Sequence, residues 1–169
     1  MKKIIIIGSP GAGKSMFARK LSELTGHPLF YLDLLWHKED KTVINRSEFD
    51  KELSQILNQD RWIIDGNYIR TLEIRLKYCD TVYLLDIPLE VCLQGVENRI
   101  GKKRADMPWV ELEFDADFKQ WIKDFPKNQL PIIYNLLNKY KEKKVFIFKD
   151  RAEANNYLKS IQKTKNYKP

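Results

Sequence analysis

The sequence predicts an α/β protein built around a parallel β-sheet whose two faces are covered by helices. Three observations carry this expectation. Ile4-Ile5-Ile6-Ile7 is an unbroken β-branched run, the pattern of a strand buried on both faces. Five short apolar runs of this kind alternate with stretches of helical periodicity. The 169 residues contain neither an internal repeat nor a linker, which fits one domain, 1–169.

The elements follow in order. Gly8 to Gly13 breaks the first strand, and Lys14 to Leu24 continues as a helix with Phe17, Leu21 and Leu24 on one side. Leu29 to Leu32 predicts a second strand after the break at Gly26-His27-Pro28, and residues 34–46 read as irregular. Ser47 can cap a helix reaching Asn58, striped by Phe49, Leu53, Ile56 and Leu57. Arg61 to Asp65 predicts a third strand, stopped by Gly66-Asn67. A short helix over 70–78 and a fourth strand from Thr81 to Leu85 come next. Pro88 suits the first turn of a helix running to Ile100, which Gly101 ends. Pro108 opens a helical region, with two helices over 109–141 divided near Pro126 and Pro131 in the first turns of the second. Val145 to Phe148 is the fifth strand, Arg151 to Ile161 the last helix, and the Lys/Asn-rich end is expected to fray. In such a sheet the ligand site belongs at the carboxyl ends of the strands.

Composition narrows the class. A chain that is 43% hydrophobic and 31% charged, with only 7 Gly and 7 Pro, is an ordinary folding sequence rather than a disordered one. The net charge of +7 is uneven: residues 1–98 hold 13 basic and 14 acidic side chains, residues 99–169 hold 17 and 9. This asymmetry suggests an anionic partner, either nucleotide phosphate or nucleic acid, against the plainer reading of a lysine-rich surface. Cys79 and Cys92 have neither redox-pair nor zinc spacing, and both sit among apolar residues. The apolar start is too short for a signal peptide, and no segment approaches a membrane span. The expectation is a soluble, cytoplasmic protein without a membrane partner.

The chemistry is concentrated in Gly8-Ser9-Pro10-Gly11-Ala12-Gly13-Lys14-Ser15, which matches G-x-x-x-x-G-K-[ST] at every fixed position. The glycines let successive N–H groups turn inward around a β-phosphate, and the helix opening near Lys14 adds its positive end. Lys14 can bridge the β- and γ-phosphates, and the Ser15 hydroxyl can join a Mg²⁺ shell directly. The motif follows a buried-type strand and precedes a helix, the context it requires, so ATP or GTP binding is expected. Leu84-Leu85-Asp86 is followed by Ile87-Pro88 with no adjacent Glu, and Asn-Lys-x-Asp is absent. Motor and GTPase readings therefore lose ground.

These stretches resemble the adenylate-kinase-like branch of P-loop kinases. The Pro10 to Lys14 loop is one likeness. Trp62 to Arg70 is similar to that branch's Asp-Gly-Phe-Pro-Arg strand end, with one extra residue before the Arg and no Pro. Val82 to Pro88, then a helix to Arg99 and a basic loop, resembles the segment leading into a lid. Tyr31-Leu32-Asp33 with Trp36, Trp62 to Arg70, Gly101 to Asp106 with Pro108, and Phe114 to Pro126 are similar to a bacterial subgroup labelled DNA topology modulation proteins, although nothing in these stretches reads as a DNA-binding module. The resemblance implies a P-loop NTPase fold, three-layer α/β/α on a five-stranded parallel sheet. It implies a core of 1–98 and 142–163, a short lid near 99–107 and a helical insert near 108–141. It also implies ATP and Mg²⁺ as cofactors, and a nucleoside monophosphate or related small metabolite as phosphate acceptor. The alternative is a nucleotide-dependent, DNA-associated or regulatory protein without kinase turnover.

Roles follow from position. Asp65, ending the third strand, could hold a Mg²⁺-bound water or take a substrate proton, or simply form an Asp-Gly turn. Asp33 falls where related metabolite kinases place a carboxylate near the acceptor, with a helix or turn cap as the alternative. Arg70 and Arg75 could clamp an anionic acceptor; Arg70 has the better family match, while Arg75 could equally be a solvated helix charge. Arg99 and Arg104 flank the basic loop and could neutralise charge during transfer, or be a solvated turn. Asp86 leans to a turn, Trp36, Trp109 and Trp121 to packing, and Lys149-Asp150-Arg151 to lining an adenine pocket. His27 and His37 do not support metal ligation.

Overall fold

The computed structural model describes residues 1–166. The chain opens with β1 (Lys3–Gly8), α1 (Lys14–Thr25), β2 (Leu29–Tyr31) and α2 (Leu32–Trp36). It continues through α3 (Arg46–Leu57), β3 (Trp62–Asp65), α4 (Ile69–Tyr78), β4 (Thr81–Leu85) and α5 (Leu89–Glu97). After an irregular stretch come α6 (Ala116–Asn128), α7 (Leu130–Lys139), β5 (Lys144–Phe148) and α8 (Arg151–Asn166). The five strands form one sheet in the order β2-β3-β1-β4-β5, with every neighbouring pair parallel. This is the three-layer α/β/α architecture of a P-loop NTPase.

The isoleucine run explains the layers. Ile4 and Ile6 face one core with Phe17, Leu21, Cys92, Val96 and Leu158, whereas Ile5 and Ile7 face the other with Phe49, Leu53, Leu72, Leu76 and Ile133. All four are fully buried. A strand covered on both sides has no solvent face, so alternation disappears from its sequence. Connections diverge at β1 and β3: from β1 the chain runs to the β2 edge, from β3 it crosses to β4 on the other side. That divergence opens a crevice above the carboxyl ends of β1 and β3.

Several elements differ from expectation. Residues 32–36 form a helix of one turn, too short to show periodicity, anchored by the fully buried Leu32. Asn45, not Ser47, caps α3, accepting a hydrogen bond from Glu48 N. Helix α6 begins at Ala116 rather than near Pro108 and is capped by Asp115, which accepts from Phe118 N at 2.7 Å. The stretch before it stays irregular because Gly101 N donates to Glu111 O at 2.7 Å, and Glu111 also receives two arginines. Pro126 lies inside the end of α6, and the division falls at Gln129. Burial of Ile122 and Phe125 on that helix offsets the hydrogen bond that proline removes. Helix α8 continues to Asn166, and residues 167–169 of the end expected to fray lie outside the described residues. Among the described residues, no helix is long and apolar enough to cross a membrane.

Candidate active site

The glycine-rich loop spans the exit of β1 to the first turn of α1. Gly11 has φ 76°, and a Cβ there would stand 2.0 Å from the Cys92 carbonyl oxygen, so no side chain fits. Gly95, one turn along the same helix α5 as Cys92, completes the contact: its Cβ would lie 2.3 Å from Gly11 O. Ala12 is fully buried and its N–H donates to Ser9 O, which tightens the turn. Arg151, at the start of α8, donates to the carbonyls of Gly11 and Val91, tying the loop to α5 and α8. The sequence reading missed Gly95. A glycine inside a helix costs about 1 kcal/mol relative to alanine, and that cost was the available signal of a close approach.

Gly95→Ala therefore sets two effects against each other. Helix propensity gains about 1 kcal/mol, whereas forcing a methyl into a 2.3 Å gap costs roughly 1–3 kcal/mol and pushes α5 off the loop. The expected outcome is a lower melting temperature together with weaker ATP binding. A variant of higher stability and unchanged affinity would show that the contact is slack.

A single cleft of about 1390 Å³ runs from this loop to the ends of β2 and β3. Pro10, Gly11, Gly13, Lys14 and Ser15 line one half, with Gly95, Arg99 and Arg151; Ser9 lines a smaller cavity on the far side of the loop, with Asp86 and Lys149. Asp33, His37, Asn67, Tyr68 and Trp109 line the other half of the large cleft, and Asp65 stands between the halves. Four of the side chains suited to phosphate already have protein partners. Lys14 Nζ donates to Ser9 O at 3.0 Å, and the Ser15 hydroxyl donates to Asp106 Oδ2 at 2.8 Å. Arg104 Nη1 donates to Glu111 Oε2 at 3.0 Å, and Arg99 Nη2 to Glu111 Oε1 at 3.4 Å. Arg104 also lies 3.3 Å from Asp106. The irregular segment between α5 and α6 thus sits over the loop and brings its own counter-charges. Sequence order shows both the cations and the acids of this segment but not that Asp106 and Glu111 pair with Arg99 and Arg104.

Asp65 ends β3, beside Ile6 in the sheet register. It is 5% exposed, and its Oδ1 is buried without a hydrogen-bond partner. Burial pushes its carboxyl up to about 6, with Lys14 and Ser15 acting against that rise. A buried carboxyl raised above its unfolded value holds its proton more tightly when folded, so stability falls as pH climbs from about 4 to about 6. Asp65→Asn should therefore raise the melting temperature of the metal-free protein at pH 7–8 and leave it nearly unchanged at pH 4. Equal melting shifts at both pH values would refute this.

Asp33, in the first turn of α2, accepts a hydrogen bond from the Tyr68 hydroxyl at 2.9 Å. His37 is held at the foot of a short antiparallel flap, pairing with Val43, while its N–H donates to Asp33 O at 2.9 Å. Trp109 meets the His37 ring edge-on at 5.0 Å. Trp36 packs edge-on against Phe49 and Tyr68, whereas Trp121 stays 40% exposed and stacks on Phe118.

Two expected anion clamps stand elsewhere. Arg70 forms a bidentate pair with Asp50 at 2.7 and 3.0 Å on the outer surface, with its guanidinium over the Phe49 ring. Arg75 is fully buried beneath the cleft floor. It donates to the carbonyls of Gly66, Asn67 and Tyr68 at 2.7–3.0 Å and to Thr71 O at 3.3 Å. Burial lowers its pKa to about 9. Arg75 shapes the loop after β3, where Gly66 (φ 143°) and Tyr68 (φ 23°) make an unusual turn, and does not face the cleft. Asp86 accepts from the Tyr134 hydroxyl at 2.6 Å and pairs with Lys149, and Asp150 caps α8 by accepting from Glu153 N.

The residues present fit Mg²⁺ arriving with a nucleotide. Among the described residues no cluster of three His, Cys, Asp or Glu could hold a metal without added ligands. The Ser15 hydroxyl and the orphaned Asp65 Oδ1 are the oxygens beside the phosphate loop that would face such an ion.

No protein-family model matches the chain, and no curated protein matches it. Solved structures do. A shikimate kinase from Acinetobacter baumannii, in complex with shikimate, aligns with a TM-score of 0.64 at 19% identity, covering 97% of this chain and 92% of that one. A shikimate kinase from Bacteroides thetaiotaomicron aligns with a TM-score of 0.56 at 14% identity, over 96% of this chain and 97% of that one. At such identities the likeness is one of fold, and the fold is that of the shikimate kinases.

Proposed function

We propose that this protein is a cytoplasmic, Mg-ATP-dependent phosphotransferase acting on a hydroxyl of a small molecule. The observation that supports this most is the continuity of the cleft. One cavity joins the phosphate loop at Gly8–Ser15 to the Asp33 carboxylate, with Asp65 between them. In this reading loop N–H groups hold the β-phosphate, and Lys14 leaves Ser9 O to bind β- and γ-phosphate oxygens. Arg99 and Arg104 exchange Glu111 and Asp106 for the charge that develops on the transferred phosphoryl. Mg²⁺, held by Ser15 and through water by Asp65, would supply charge neutralisation at the phosphates. Asp33 takes the proton of the attacking hydroxyl as the new P–O bond forms and the bond to ADP breaks. The core, the lid and the helical insert act as one domain, with the lid drawn as the whole stretch between α5 and α6. The fold neighbours carry the same class of activity in their names.

The DNA-associated reading has less support. Five of the late basic side chains are internally paired: Arg99 and Arg104 with Glu111, Lys119 with Glu97, Lys139 with Glu73, and Lys149 with Asp86. The likeness to DNA topology modulation proteins rests on the sequence stretches alone. ADP release from Mg-ATP, followed across hydroxyl metabolites and nucleoside monophosphates, tests the proposal. Acceptor-dependent ADP formation is expected with at least one hydroxyl compound. Mg-ATP hydrolysis that no acceptor stimulates would overturn it.

A further inference from the structure

The acceptor half of the cleft holds buried atoms suited to accept hydrogen bonds that receive none. Asn67 Oδ1 and His37 Nδ1 are both buried and unpartnered, and both residues line the cleft beside Asp33. Burial lowers the His37 pKa, with Asp33 opposing, so the ring is neutral near pH 7, and with its proton on Nε2 the Nδ1 lone pair is free to accept. Both are held in place. Three carbonyls of the loop carrying Asn67 are fixed by Arg75, and His37 is pinned by Asp33 O and the Val43 bridge. Buried polar atoms without partners are uncommon, and their complement is a ligand that donates.

The cations point the same way. Arg70 is committed to Asp50 and Arg75 to the loop carbonyls, while the two lid arginines, paired with Glu111 and Asp106 at rest, serve the transferred phosphoryl rather than the acceptor. Arg19, Lys41 and Lys103 also line the cleft but from exposed positions, where water screens a charge pair to little value.

We propose that the phosphate acceptor is a neutral, polyhydroxylated ring compound such as a sugar, cyclitol or nucleoside. Its hydroxyls donate to Asp33, Asn67 and His37, and its C–H face rests on Trp109. Asn67 and His37 are then specificity-determining residues, because a site built to take hydroxyl donors leaves its own groups unpaired with other ligands. The proposal rests on the kinase reading above.

The test is a panel of neutral polyols and nucleosides against carboxylated and phosphorylated compounds, shikimate and nucleoside monophosphates included, with Mg-ATP binding measured in parallel. Neutral compounds should exceed charged ones in kcat/KM by about 100-fold. Asn67→Leu and His37→Leu should raise acceptor KM about 10- to 100-fold, with ATP KM and the melting temperature held. Preference for a charged acceptor, or unchanged acceptor KM in both leucine variants, overturns the proposal. So does ATP binding with no turnover of any neutral compound, whereas absence of Mg-ATP binding overturns the kinase reading beneath it.

Discussion

Replacing Lys14 with alanine should lower phosphoryl transfer by about 10²- to 10³-fold while leaving the fold intact. The side chain makes one recorded hydrogen bond, to the Ser9 carbonyl at 3.0 Å from a part-buried position. Losing that bond costs about 1 kcal/mol, within the range of ordinary substitutions. The same ammonium is the group on the phosphate loop that can follow charge onto the γ-phosphate as the bond to ADP breaks. Its removal therefore falls on the transition state far more than on folding. Turnover and thermal melting, measured on one preparation, separate the two. Unchanged turnover would refute the proposed mechanism, and a collapse in melting temperature would show that Lys14 holds the loop together.

Arg75 should show the reverse pattern. Arg75→Met keeps an apolar stem in the core but leaves the carbonyls of Gly66, Asn67 and Tyr68 facing a side chain that cannot donate. Tyr68 O keeps the Thr71 N–H and hydroxyl as donors, whereas Gly66 O and Asn67 O lose the guanidinium at about 1–3 kcal/mol each, so roughly 2–6 kcal/mol is expected in total. In a chain of this size that lowers the melting temperature by about 10 °C. Arg75→Lys should recover less than half, because one ammonium cannot span three carbonyls as a planar guanidinium does. A melting point within 2 °C of the parent for Arg75→Met would show that water replaces the guanidinium. The loop carries Asn67 and Tyr68 into the cleft, so acceptor affinity should fall along with stability.

Legibility in the sequence varied with the range of the interaction. The isoleucine run, the glycine turn and Pro88 each announced an element because their causes lie within a few residues. Helix α2 did not, since one turn contains too little pattern and its anchor, Leu32, is buried by distant parts of the chain. The late start of α6 was hidden for a related reason: Glu111 answers arginines 7 and 12 residues away. Arg70 and Arg75 show the limit most clearly. They are five residues apart on one short helix and looked alike as anion clamps, yet one lies on the outer surface and the other in the core. Neither fate is written in local spacing.

The phosphate loop, the parallel five-stranded sheet and the alternation of its layers were contained in residue order, because they arise from backbone torsion and short-range burial. Partnership across the cleft was not. That Asp106 would reach Ser15 over 91 positions, or that Asn67 and His37 would stand unpartnered beside Asp33, depends on how the loops fold back over the sheet. Charges and hydrogen bonds act through space, and the chain's path through that space follows from the packing of every element together.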